Sequence, residues 1–172
     1  KSQIREVVVS KDKHYMFQTP VGWVALLGSS EGLRRLSLKP TPEEAMDELG
    51  GLSEEATLDQ GWFVPVQRAV ERYLEGDSRA LDGIKLDLDQ APRFFRSAWE
   101  ACRRIPSGET RSYAWLAAEA GSPLAMRAAG QAMARNPWPL IIPCHRVIGS
   151  DGGLHGYGAG GLRVKAQLLE ME

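Results

Sequence analysis

In the first third of the chain, apolar residues come in short runs separated by turn residues, which predicts strands. Val7-Val8-Val9, His14 to Phe17, Trp23-Val24-Ala25-Leu26-Leu27 and the set Leu33, Leu36, Leu38 are the runs. Thr19-Pro20-Val21-Gly22 and Gly28-Ser29-Ser30-Glu31-Gly32 are the breaks between them. The pattern predicts an antiparallel hairpin, with His14 on a strand surface. Thr41-Pro42-Glu43-Glu44 then combines a capping threonine, a proline at the first helical position and a reciprocating glutamate. A short acidic helix should follow and stop at Gly50-Gly51, with residues 52–61 as a loop. Val66, Ala69, Val70 and Tyr73 recur at i, i+3, i+4, i+7, which predicts an amphipathic helix ending near Gly76. Ile84, Leu86 and Leu88 alternate with Lys85, Asp87 and Asp89, the pattern of a half-buried strand.

The period changes beyond Gln90-Ala91-Pro92, which we take as the boundary between residues 1–90 and 91–172. Phe95, Ala98, Trp99 and Cys102 form a helical stripe ended by Ile105-Pro106-Ser107-Gly108, so Cys102 reads as a small buried hydrophobe. Tyr113, Leu116, Ala117 and Ala120 form another, closed by Gly121. Ser122 can cap the next helix and Pro123 can open it, giving a helix over about Leu124 to Arg135. Two helices joined by so tight a turn make a helix-turn-helix, a common arrangement. The second helix has little bulk: Ala125, Ala128, Ala129, Gly130, Ala132 and Ala134, with Arg127 its only early charge. Such a helix can pack closely on the protein's own core or on another molecule's backbone.

The net charge of -1 conceals an asymmetry. Residues 1–90 carry 11 Lys and Arg against 16 Asp and Glu; residues 91–172 carry 10 against 6. A polyanion would dock on the second half, although a solvated surface explains the same numbers. Hydrophobic residues are 43% and charged residues 25%, as in ordinary globular proteins. No apolar run reaches membrane-span length and no signal-peptide pattern is present. With only two cysteines, a disulfide framework is not expected, which points to a reducing compartment, the cytoplasm or nucleus.

The chemistry concentrates in Asn136-Pro137-Trp138-Pro139-Leu140-Ile141-Ile142-Pro143-Cys144-His145-Arg146-Val147-Ile148. Here a cysteine and a histidine sit side by side behind an apolar, proline-bracketed run. A thiol that reacts needs a base, and His145 is the nearest. Neighbouring side chains rarely face each other, so one water would relay the proton. A structural thiol, a metal site and a cysteine hydrolase are the rivals. Metal ligation is poorly supported, since His14 and His155 are isolated and no Cys-x-x-Cys occurs. A hydrolase normally places its histidine elsewhere in sequence.

Pro143-Cys144-His145-Arg146-Val147-Ile148, preceded by Asn136-Pro137, resembles the active-site signature of the O6-alkylguanine-DNA alkyltransferases, the methylated-DNA–protein-cysteine methyltransferases. The resemblance covers roughly residues 92–172 and, more weakly, the first half. It implies an α/β fold: a small N-terminal antiparallel sheet with helices, ribonuclease-H-like, and a mostly helical, winged-helix-like C-terminal domain. It implies irreversible, stoichiometric repair of O6-alkylguanine, and of O4-alkylthymine, in double-stranded DNA after the base is flipped out through the minor groove. It implies no cofactor and a monomer; the extra N-terminal cysteines with which some members bind zinc are missing, so no metal is expected.

The resemblance also implies roles. Cys144 is the nucleophile and His145 its base; Glu172, in Leu168-Leu169-Glu170-Met171-Glu172, holds the imidazole, with Glu170 as substitute. Asn136 braces the turn under the cysteine. Tyr113 contacts the target phosphate and gives a proton to the leaving base; Lys165 stands near the leaving oxygen. Met133 and Tyr157 sandwich the base, Val147 and Ile148 offer it backbone oxygens, and Gly158 supplies a backbone donor. Ser122, Arg127, Ala128, Gly130 and Ser150 face DNA, with Arg127 filling the gap left by the extruded nucleotide. Tyr157-Gly158-Ala159-Gly160-Gly161-Leu162 is one residue longer than the family pattern. A lesion-binding module without transfer is the alternative, disfavoured by the presence of Cys144.

Overall fold

The structure is a computed structural model that describes residues 12–88, 91–149 and 161–172. Strands β1 (Lys13–Thr19), β2 (Gly22–Ser29) and β3 (Gly32–Lys39) pair antiparallel as expected, and extend the predicted hairpin to a three-stranded meander. The run predicted at Val7–Val9 lies outside the described residues. β2 is apolar at consecutive positions because both its faces are covered. Val24 and Leu26 face the main core, while Ala25 and Leu27 pack with Ala45 and Leu49 of α1 (Pro42–Leu49). That helix starts as its sequence requires: Thr41 is the cap and its hydroxyl accepts from the Glu44 N–H.

Residues 52–61 are not a plain loop. They contain a helical turn, α2 (Leu52–Glu55), and a two-residue strand, β4 (Thr57–Leu58), which pairs parallel to β1. The sheet is therefore mixed, in the order β3-β2-β1-β4. Two residues are too few to show alternation, so no periodicity announced β4. Asp59 then caps α3 (Gln60–Leu74), whose stripe buries Phe63, Ala69, Val70 and Tyr73. The strand expected at Ile84–Leu88 is reduced to one bridge, Leu86 to Leu33. Gly32 decides this: at φ +137, a Cβ there would lie 2.8 Å from the Lys85 carbonyl oxygen, so only glycine lets the segment this close.

The second half supplies α4 (Arg93–Arg103), α5 (Tyr113–Glu119), α6 (Met126–Ala134) and α7 (Gly161–Met171). Strands β5 (Arg111–Ser112) and β6 (Val147–Ile148) pair in parallel and tie the entry of α5 to the segment after the cysteine. α5 ends in a Schellman motif: Gly121, at φ +91, bonds back to Ala118, and Ser122 to Ala117. Ser122 does not cap the next helix. Its amide is spent closing α5 and its carbonyl accepts from Ala125 in a separate turn. α6 therefore begins at Met126 rather than Leu124, without a side-chain cap, and Leu124 is fully exposed. The α5–α6 pair is nonetheless a helix-turn-helix. One core joins the halves, with Phe63, Val70 and Tyr73 packed in the same cluster as Trp99, Leu116, Ile142 and Leu168. No helix among the described residues is long and apolar enough to cross a membrane.

Candidate active site

The segment before Cys144 is held open by one side chain. Asn136 Nδ2 donates to the Ile142 carbonyl at 2.9 Å, while Asn136 Oδ1 accepts from the Trp138 N–H at 2.9 Å. Inside this bracket Leu140 is buried at φ +74, a left-handed conformation that is unfavourable for leucine. The surroundings hold it there. Trp138 donates its indole N–H to the Leu33 carbonyl at 2.8 Å and stacks edge-on against Trp99. Cys144 follows at the start of a single 3₁₀ turn, Cys144–Arg146. It is 8% exposed and shares a hollow of about 50 Å³ with Met133, Ala134, Asn136 and the β3 residues Leu36 and Leu38. Arg35, Lys39 and Glu48 bring charge to the same hollow.

Behind the cysteine lies a buried polar knot. His145 is fully buried and its Nε2 is 3.1 Å from Glu172 Oε1. Arg146 donates from Nε at 3.0 Å and from its terminal nitrogen to the same carboxylate, and from the other terminal nitrogen to the Ile105 carbonyl at 2.6 Å. Tyr73 donates its hydroxyl to Glu172 Oε2 at 2.8 Å. Burial pushes the Glu172 carboxyl upward, but hydrogen bonds from His145, Arg146 and Tyr73 and the nearby positive charge outweigh it and hold the group at about 2. Burial depresses His145 below its ordinary value despite the carboxylate, so the imidazole rests neutral. Burial also raises the Cys144 thiol, against the hydrogen bond from Asn136 and the charge of Lys165. The resting pair is therefore a thiol beside a neutral base, an arrangement that can lose a proton when the sulfur attacks. Lys165 is 1% exposed and donates to the Val147 carbonyl at 2.9 Å.

Residues 93–172 match the model of the 6-O-methylguanine DNA methyltransferase DNA-binding domain, and residues 13–88 that of its ribonuclease-like domain. The methylated-DNA–protein-cysteine methyltransferase of Methanosarcina acetivorans is 36% identical over 157 residues, covering 91% of this chain and 96% of that protein. That of Mycobacterium leprae is 40% identical over 154 residues, covering 90% and 88%. The chain belongs to the methylated-DNA–protein-cysteine methyltransferase family. The crystal structure of Mycobacterium tuberculosis O6-methylguanine methyltransferase superposes with a TM-score of 0.76 at 34% identity, over 93% of this chain and 92% of that one. The same Mycobacterium tuberculosis protein has been solved in complex with DNA, and that chain superposes with a TM-score of 0.75. This chain is thus a DNA-repair methyltransferase of a single-turnover family.

The sequence-predicted residues of the methyltransferase divide into three sets. Cys144, Asn136 and Met133 share the hollow, while His145 is bonded to Glu172 and, separately, Lys165 to the Val147 carbonyl. Tyr113 is half-buried at the start of α5, close enough for a Cys144 thiolate to raise its hydroxyl further after burial has done so; Ile148 pairs with Ser112 beside it. Arg127, Ala128 and Gly130 form a second set on the outer side of α6, and Ser122 precedes that helix. Ser150, Tyr157 and Gly158, with the lengthened glycine loop, lie outside the described residues. Lys165, expected near the leaving oxygen, is buried with its ammonium bound to the Val147 carbonyl, one of the oxygens expected to receive the base. Tyr73 and Arg146, which sequence reasoning left out of the site, both hold Glu172. No local signal marked Tyr73, which reads simply as the last position of an amphipathic stripe.

Proposed function

We propose that this methyltransferase repairs O6-alkylguanine, and O4-alkylthymine, in double-stranded DNA by moving the alkyl group to Cys144. The observation that carries this reading is a thiol lining a hollow, with a buried neutral imidazole next to it in sequence and an ionised carboxylate behind that imidazole. As the sulfur attacks, the S–C bond forms and the C–O6 bond breaks. The thiol proton passes through one water to His145, and Glu172 stabilises the imidazolium. The departing guanine takes a proton from Tyr113, whose raised pKa keeps it protonated until then. The thioether product has no nucleophile left, so each molecule reacts once.

A guanine stacked in a duplex cannot reach Cys144, so the lesion must be everted, at roughly a few kcal/mol. We assign the minor-groove contact to α6. Its core side is Ala129, Ala132 and Met133, and its other side is left nearly bare: a Cβ at Gly130 would meet nothing within 4 Å. Packing inside the protein does not demand that bareness; approach by a duplex backbone does. Arg127, exposed one turn earlier, is the wedge. Residues 91–172 thereby carry both DNA binding and transfer, and the protein acts as a monomer. Incubation with an O6-methylguanine duplex and intact-mass measurement tests this. A single methyl on the Cys144 peptide, with a burst equal to the protein concentration, is expected. Binding without a mass increase would favour a lesion-binding module, and continued turnover would exclude suicide transfer.

A further inference from the structure

We infer that Tyr73, contributed by the N-terminal half, is a positioning residue of the transfer relay: its hydroxyl aims the Glu172 carboxylate at His145 and fixes the imidazole proton on Nε2. The inference rests on the reading of Cys144 and His145 given above. Tyr73 is 1% exposed near the end of α3, 72 residues from His145 and 99 from Glu172 in the chain. Its oxygen is 2.8 Å from Glu172 Oε2 and 3.3 Å from His145 Nε2.

The direction of each bond follows from proton counting. An ionised carboxylate only accepts, so the single Tyr73 proton goes to Glu172. Toward His145 the same oxygen is then an acceptor. Both groups around Nε2, the Tyr73 oxygen and Glu172 Oε1, are acceptors, so Nε2 carries the hydrogen and Nδ1 is the basic nitrogen. Arg146 cannot do this, having only donors. Its fork already engages Glu172 through two nitrogens, the geometry of a bidentate pair. Without the Tyr73 hydroxyl on Oε2, the carboxylate can settle fully onto that guanidinium and turn from the imidazole. The charged and titratable groups acting on His145 are Glu172, Arg146 and Lys165, together with Tyr73 itself. Burial keeps Tyr73 protonated, so the donor persists at every working pH.

The test is Tyr73→Phe in the full chain, which keeps the ring and removes the oxygen. Single-turnover rates with methylated duplex and with free benzylguanine are followed over roughly pH 5 to 9. We expect about a tenfold lower plateau and an acid limb displaced to lower pH, because a histidine that loses its acceptor is a weaker base. Nitrogen-15 shifts should show His145 protonated on Nε2 in the native protein and a mixture of tautomers in the variant. Val70→Ala, which removes packing on the same helix without touching Glu172, should lower stability and leave the acid limb in place. A Tyr73→Phe profile that superimposes on the native one, or moves no more than that of Val70→Ala, overturns the inference, as does a native His145 protonated on Nδ1. Should the native protein transfer nothing, the functional reading fails, and the tautomer measurement still decides the role of Tyr73.

Discussion

The knot around Glu172 and the outer side of α6 are opposite solutions within one molecule. In the knot, the side chains of Tyr73, His145 and Arg146, from two distant parts of the chain, crowd the Glu172 carboxylate, and almost nothing is exposed. On α6, alanines and a glycine leave the helix bare where core packing would tolerate more bulk. Removing an atom from the knot strands a charge or a polar group in a low-dielectric site. Adding an atom to α6 disturbs only what comes from outside. The proposed proton relay thus resides where the fold over-determines geometry, and the proposed DNA contact where the fold leaves space.

Glu172→Gln should have the largest effect. It leaves the Arg146 guanidinium buried without its counter-charge, so urea unfolding should show a loss of about 3 kcal/mol or more. Single-turnover transfer should fall about a hundredfold, since no anion remains to stabilise the imidazolium. A variant as stable and as fast as the native protein would dissolve the contrast between the two regions.

Acid should weaken the knot selectively. His145 titrates at 6.5 when unfolded and lower when folded, so the unfolded chain binds the proton first and stability falls as pH drops below 6.5. Glu172 titrates near 4.5 unfolded and at about 2 folded; its contribution is present above 4.5 and is lost as pH falls toward 2. Thermal melts across this range should show both losses, and in Glu172→Gln the second should shrink. Transfer should persist below pH 6.5, because folded His145 is still neutral there.

Arg127→Ala should behave in the opposite manner. With an exposed side chain, its stability change should stay within about 0.5 kcal/mol. Transfer from a methylated duplex should fall about tenfold, while the reaction with free benzylguanine should be unchanged, because no base need be everted. Equal losses with both substrates would place Arg127 in the relay instead. The smallest effect belongs to Gly130→Ala, which should stabilise α6 by roughly 0.5–1 kcal/mol in a melt, since its methyl meets nothing. Gly130→Leu should remain folded yet bind duplex less tightly.

Local chemistry made much of this legible. Turn residues and apolar runs located β1 to β3, Thr41 and Pro42 located α1, and the stripe from Val66 to Tyr73 located α3. These are short-range effects of sterics and capping, fully present in the residues concerned. The strand at Thr57–Leu58 was too short to show a period. The start of α6 depended on how the chain left α5, since Ser122 to Ala125 form a separate turn before the helix. The motif from Asn136 to Ile148 supplied the candidates for nucleophile, base and brace.

By itself, then, the sequence determined most of the elements, the candidate reactive pair and the family. Only the tertiary structure decided that Tyr73 and Arg146 grip the same carboxylate as His145, that Lys165 is buried against Val147, and that Leu140 is held left-handed. The reason is physical. Propensity, capping and periodicity act over a few residues, whereas a buried hydrogen bond depends on which distant groups are brought out of water together.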